Sequence, residues 1–147
     1  SAQASVVAQN CGPLSSAASP VSSAAPVQQE AGIAWYRNYA AAKKVAKESG
    51  KPMFIDFYAS WCANCVEFKK QTASNPALNQ ALKEKAIAVK LIDREPDFEQ
   101  FKADAAHRPL KIGLPYFAII NGDGQVVWTG TDYKATDTII DELNRQS

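Results

Sequence analysis

The sequence predicts an α/β sandwich: a mixed central sheet of four or five strands with helices on both faces. Three observations predict it. Two apolar runs of strand length, Met53–Tyr58 and residues 86–92, alternate with longer stretches of helical character, an order that lays parallel strands side by side under covering helices. Two further runs, Tyr116–Ile120 and residues 125–129, flank Asn121-Gly122-Asp123-Gly124, a hairpin signal that adds an antiparallel edge. The 147 residues, 46% hydrophobic and 21% charged, have the size and composition of one globular domain with its own core.

Taken in order, residues 1–30 hold seven Ser, seven Ala, three Pro and four Gln but one charge, Glu30. Such a segment buries too little apolar surface to offset its ordering entropy, so it is predicted to be a flexible linker or tail, with the folded domain at 31–147. Cys11 lies in it and is read as an unpaired bystander, because a reactive cysteine needs a structured electropositive setting. Residues 35–49 read as a helix, alanine-rich, with Lys43, Lys44 and Lys47 toward its C-terminal half and Gly50 placed to end it. The run Met53-Phe54-Ile55-Asp56-Phe57-Tyr58 reads as a buried parallel strand. Residues 62–72 form the next helix, and Asn75-Pro76 opens another to about Lys85, Asn as the cap and Pro in the first turn. After the 86–92 strand, residues 96–106 read as a helix with Asp97 and Glu99 in its first turn. Thr136 is read as the cap of a last helix reaching about Arg145.

Composition excludes several classes of function. Sixteen basic residues against fifteen acidic give a formal net charge of +1, without the footprint of a nucleic-acid binder or a polybasic membrane patch. No apolar run approaches the roughly 18 residues of a membrane-spanning helix, and no signal-peptide pattern stands at the start. There is no glycine-rich phosphate loop, metal-ligand cluster or nucleophilic serine motif. His107, the only histidine, sits in a polar loop with Arg108 and Pro109 and is read as a surface residue.

Trp61-Cys62-Ala63-Asn64-Cys65 carries the chemistry. Between strand and helix, Cys62 falls at a helix N-terminus, where unpaired backbone N–H groups and the helix dipole favour an anion, and so its thiol is expected to ionise below the free value of about 8.5. Cys65 lies one helical turn further in and is expected to be more buried. This asymmetry suits thiol–disulfide exchange, with Cys62 attacking and Cys65 resolving. Two other readings are weighed beside it: a structural disulfide, which would close too small a loop to stabilise much, and half of a zinc site, which lacks a second ligand pair since only Cys11 and His107 remain. Asp56 interrupts an otherwise apolar strand six residues before Cys62. It is read either as a proton acceptor for Cys65, its pKa raised by burial, or as a strand-end acid paired with a lysine or reached by water. Glu67 either tunes local charge or is an exposed helix acid, Lys69 and Lys70 are read as solvated, and Tyr58 and Trp61 flank the site as shield, docking surface or core aromatics.

These residues resemble the thioredoxin superfamily. The likeness covers residues 33–147 and is carried by Trp61–Cys65 after an apolar strand, Asp56 six residues earlier, and Gly113-Leu114-Pro115 ahead of the terminal hairpin. It implies the thioredoxin-like fold, a cis Pro115 facing the dithiol, and a partner surface formed by Trp61, Ala63, Asn64, Leu114, Pro115 and Tyr116. The chain departs from the cytoplasmic pattern in having Ala63-Asn64 for Gly-Pro, and Tyr116 for the usual Thr. More narrowly, Gly50-Lys51-Pro52, the segment from Asp56 to Cys62, and Cys65-Val66-Glu67-Phe68-Lys69 are similar to the C-terminal domain of the DsbD family of thiol:disulfide interchange proteins. That resemblance implies a protein-disulfide reductase whose cofactor is its own Cys62–Cys65 disulfide, with no metal, and with Asp56 and Glu67 as acids near the site. It implies a monomeric domain in the bacterial periplasm, tethered to the inner membrane. There it would pass reducing equivalents from a membrane-embedded transporter to the N-terminal periplasmic domain of the same protein, and so toward disulfide isomerase and cytochrome c maturation. Lys69 stands where some members carry a second acid. A stand-alone periplasmic reductant of the cytochrome c maturation type and a non-catalytic docking module are the alternatives.

Overall fold

The computed structural model describes residues 27–147; residues 1–26, and Cys11 with them, lie outside the described part. The elements are β1 (Val27–Glu30), β2 (Ile33–Tyr36), α1 (Tyr39–Ser49), β3 (Met53–Tyr58), α2 (Ala63–Ser74), α3 (Pro76–Glu84), β4 (Ile87–Ile92), α4 (Pro96–Ala103), a 3-10 turn (Ala105–His107), β5 (Tyr116–Ile120), β6 (Val126–Gly130) and α5 (Thr136–Arg145). The strands form one mixed sheet in the order β1-β2-β4-β3-β5-β6. β4 runs parallel to β2 and β3, and the outer pairings β1–β2, β3–β5 and β5–β6 are antiparallel. This is a thioredoxin-like fold, as the sequence led one to expect.

Successive strand side chains point to opposite faces, and the two cores follow that alternation. Phe54 joins Ile33, Trp35, Phe68, Leu78, Leu82, Phe117, Ile139 and Leu143 on the face covered by α2, α3 and α5. Met53, Ile55 and Phe57 join Ala42, Ala46, Val89, Leu91, Phe98 and Phe101 on the face covered by α1 and α4. Phe68 of α2 packs against Phe117, ring centroids 4.5 Å apart, and stacks with Phe54 at 5.9 Å, so the helix that carries the dithiol is anchored to the central strands by aromatic contact.

The structure corrects the sequence reading at the N-terminal edge. Residues 27–30, assigned to the tail, are strand β1, and Trp35, assigned to a helix, belongs to β2; the sheet therefore has six strands instead of four or five. β1 has little apolar character because it is an edge strand held through its backbone pairing with β2. Its turn, Ala31-Gly32, has positive φ at both residues (54° and 80°), the conformation of a two-residue hairpin turn, which Ala-Gly signals more weakly than Asn-Gly. The helix begins only at Tyr39, where Asn38 caps it by accepting from the Ala41 N–H at 2.8 Å. At the other end Thr136 is the first helical residue, preceded by Ala135, and makes no side-chain cap.

His107 is a further correction. It is buried, its Nδ1 lies 2.7 Å from the Phe101 carbonyl oxygen, and its ring stacks on Phe101 at 3.7 Å and meets the Tyr39 edge at 5.6 Å. The short 3-10 turn after α4 folds it back onto the helix, so the polar neighbours that suggested a surface loop do not set its position.

Candidate active site

β3 ends at Tyr58, a turn follows, and α2 begins at Ala63. Cys62 is the N-cap: its backbone is extended, and its Sγ accepts from the Cys65 N–H at 3.2 Å. The sulfur that expectation placed at a helix mouth is thus on the axis where free amide hydrogens and the dipole favour negative charge. Cys62 and Cys65 form a disulfide, Cα atoms 5.2 Å apart. Cys62 retains a little solvent contact; Cys65 is fully buried, its Sγ 3.8 Å from the Phe57 carbonyl oxygen, an acceptor for the thiol once the bond is reduced. Ala59, Tyr58 and Leu114 pack round the pair.

The expected partner residues divide. Trp61 is 68% exposed beside the disulfide, and Ala63 and Asn64 are also exposed. Leu114 touches the dithiol cluster, and the Leu114–Pro115 peptide is cis. Tyr116 instead turns its ring into the core against Phe57, centroids 5.3 Å apart. Glu67 stands on the solvent face of α2, paired with Lys70 at 3.0 Å, away from the buried charges.

Asp56 is fully buried. Sheet alternation puts it on the face of Phe54 and Tyr58, the face that α2 covers. Neither carboxylate oxygen accepts a hydrogen bond from any described residue. Burial lifts its pKa from the ordinary 3.8 to about 7, against the pull of Lys90 and with a smaller push from Glu30. Lys90 is its direct neighbour across the β3–β4 ladder and is only 2% exposed. Its ammonium bonds Glu30 of β1 at 2.6 Å and lies over the rings of Trp35 (4.7 Å) and Tyr58 (5.0 Å), which soften the cost of burying the charge. Lys69 of α2, read as solvated, reaches Glu30 at 3.9 Å and the Tyr58 ring at 5.8 Å. The acid that shares the site with Asp56 is therefore Glu30, from the segment read as tail. Sequence reasoning missed both Glu30 and Lys90; a lone lysine inside the apolar Ile87–Ile92 run was the one available signal.

No group of three or more His, Cys, Asp or Glu side chains among the described residues is arranged to hold a metal ion, and no helix among them is long and apolar enough to cross a membrane. The arrangement, a strand-end dithiol with one sulfur at a helix mouth and the other buried one turn deeper, and a buried carboxylate on the sheet face that α2 covers, is suited to thiol–disulfide exchange.

Comparison with known proteins agrees with this geometry. Residues 34–122 match the model of the family described as thioredoxin-like. Over 102 residues, 67% of this chain, the sequence is 34% identical to the thiol:disulfide interchange protein DsbD of Klebsiella pneumoniae, and the matched part spans 17% of that protein's length. Among solved structures, the C-terminal domain of Neisseria meningitidis DsbD in its oxidised form superposes with a TM-score of 0.57 at 22% identity, covering 74% of this chain and 91% of that domain. A thioredoxin from Thermus thermophilus superposes at 0.59 with 17% identity, covering 74% and 83%. The last two show the shared fold.

Proposed function

The chain belongs to the thioredoxin-like family, and on that premise we propose that it is a thiol–disulfide oxidoreductase of the DsbD type, relaying reducing equivalents from a membrane-embedded electron transporter to a periplasmic partner domain. The carrying observation is the asymmetry of the dithiol: Cys62 at the N-cap with a little solvent contact, Cys65 fully buried one turn deeper. The likeness to DsbD, a thiol:disulfide interchange protein, supports the exchange chemistry and a partner within such a protein. In this reading the segment ahead of β1 connects the domain to the membrane part of the same protein, and the site faces the periplasm.

The exchange runs in two displacements. The Cys62 thiolate attacks one sulfur of the partner's disulfide; a Cys62–partner bond forms, the partner's own bond breaks, and the first partner thiolate leaves and takes up a proton. Cys65 then gives its proton to the Asp56 carboxylate and attacks Cys62; the Cys62–Cys65 bond forms and the second partner thiolate leaves. Two electrons pass to the partner, which ends as a dithiol, while this chain ends in the bridged form. The upstream transporter reverses these steps to reload it. Asp56, with a pKa near the working pH, takes and returns a proton with little bias. Trp61, Ala63, Asn64 and the Leu114–Pro115 segment form the surface on which the partner disulfide is presented, and Glu67 contributes to the charge of that rim.

The test is trapping. Cys65→Ser, mixed with the oxidised N-terminal domain of a DsbD-type protein, is expected to accumulate a Cys62-linked mixed disulfide that the unaltered chain resolves. No adduct with that domain, alongside normal reduction of other protein disulfides, would overturn the relay and leave a general reductant.

A further inference from the structure

We infer that Glu30, on the edge strand β1, is a positioning residue for the exchange reaction: by engaging the buried Lys90 ammonium it keeps that charge off Asp56, and it thereby couples the docking of β1 to proton transfer at the dithiol. The inference rests on the oxidoreductase reading above and adds to it a residue and a structural element outside the dithiol motif.

Two carboxylates compete for one buried ammonium. Lys90 has two carboxylates within its surroundings, one beside it on β3 and one on β1. It bonds Glu30 at 2.6 Å, while neither oxygen of Asp56 accepts a hydrogen bond from any described residue. The lysine is shut off from solvent, so it has no aqueous alternative to these two acids. Trp35 and Tyr58 close over it and leave it aimed toward β1.

Glu30 is also the point at which β1 meets the site. Val27, Gln28 and Gln29 are exposed, and Glu30 alone on this strand is partly buried. Among the described residues β1 pairs with β2 alone, through four residue pairs; edge strands with one partner open most readily. Glu30 further approaches Lys69, at 3.9 Å, on the very helix whose first turn holds the disulfide. When Glu30 is neutral, or β1 lifts away, the closest remaining anion for Lys90 is Asp56. The loss of a neighbouring negative charge and the approach of the ammonium then act in the same direction. Both favour the ionised carboxylate and weaken it as a base for Cys65. The charged groups that act on the Asp56 carboxyl are Lys90 on β4 and Glu30 on β1; α2, which covers this face, carries Lys69 and the buried Cys65, and the neighbour of Asp56 across β5 is Phe117, which carries no charge.

The test uses 5,5′-dithiobis(2-nitrobenzoate) as the disulfide. Its first thiolate is released when Cys62 attacks, its second when Cys65 resolves the adduct, so the second release isolates the step that needs the proton acceptor. In parallel, ¹³C NMR follows the Asp56 carboxyl directly through a pH titration. Glu30→Gln keeps a hydrogen-bond acceptor for Lys90 and removes the charge. It is expected to lower the Asp56 midpoint by about one pH unit, roughly tenfold in the protonation equilibrium, and to displace the pH profile of the second release the same way, with the first release unaltered. Lys90→Met in the Glu30→Gln background is expected to bring both back upward, and Glu30→Asp to stay near the parent. An Asp56 midpoint indifferent to Glu30→Gln, or a double variant that does not recover, overturns the inference. If Glu30→Gln does not fold, Glu30→Asp against Lys90→Met decides alone: a carboxyl midpoint that Lys90→Met fails to raise overturns it. Absence of any second release from the unaltered chain would instead sink the oxidoreductase reading itself.

Discussion

Asp56→Asn should stabilise the oxidised domain, and by an amount that grows with pH. A carboxyl group whose folded-state pKa is about 7 against an ordinary 3.8 holds its proton in the folded chain after the unfolded chain has lost it. Near pH 4 and below, both states are protonated and the group costs nothing. Between about pH 4 and 7 each pH unit removes about 1.4 kcal/mol of stability, and above pH 7, where both states are ionised, the loss levels off. The displacement of about three pH units corresponds to about 4 kcal/mol, a large share of the 5–15 kcal/mol that holds a domain of this size together. Asparagine occupies nearly the same volume and never ionises, so the variant escapes this loss. Urea unfolding of the two proteins at pH 4.5, 6 and 8, at constant ionic strength, is expected to show a difference in unfolding free energy that rises by several kcal/mol across the series in favour of the variant. A difference that stays flat, or that favours the parent more strongly as pH rises, would refute the reasoning. The latter would mean that Lys90 pairs with Asp56 closely enough to hold it ionised.

Three further outcomes are expected. Phe68→Ala, which empties the space between Phe54 and Phe117 under the active-site helix, should cost about 3–5 kcal/mol in urea unfolding. Trp61→Ala should leave unfolding unchanged, since the side chain is exposed. It should nevertheless slow reduction of a protein disulfide such as insulin by roughly tenfold, as loss of an interface aromatic does, with a small aromatic disulfide reacting at nearly the parent rate. His107→Ala, which removes a buried hydrogen bond and a ring stack, should lower stability by about 2 kcal/mol while the rate of Cys62 alkylation stays at that of the parent; an altered alkylation rate would mean that the far face of the sheet communicates with the dithiol.

The dithiol was legible in the sequence because everything that places it is local. Met53–Tyr58 is apolar enough to be a buried strand, the turn is short, and a two-residue spacer sets the cysteines one helical turn apart. Asn75-Pro76 likewise announced α3, and Asn75 caps it as expected, accepting from the Leu78 N–H at 3.2 Å. Asp56 stood out for the same reason, a charge in an apolar run. The hairpin after β5 was legible from four turn residues, with Asn121 Oδ1 accepting from the Asp123 and Gln125 N–H groups as such a turn requires.

Tertiary structure alone decided the rest. Glu30 and Lys90 meet across 60 residues of chain, and only the strand order, β1-β2-β4-β3, brings the β1 acid, the β4 lysine and the β3 acid onto one face. β1 and β2 are short, and an edge strand owes its existence to the backbone donors and acceptors of its neighbour instead of its own side chains, so composition misassigned them. The same holds for His107, whose ring is buried against Tyr39 of another element. Local spacing set which sulfur stands at the helix mouth; the free energy of the proton beneath it depends on charges that share a low-dielectric space only after the sheet has assembled.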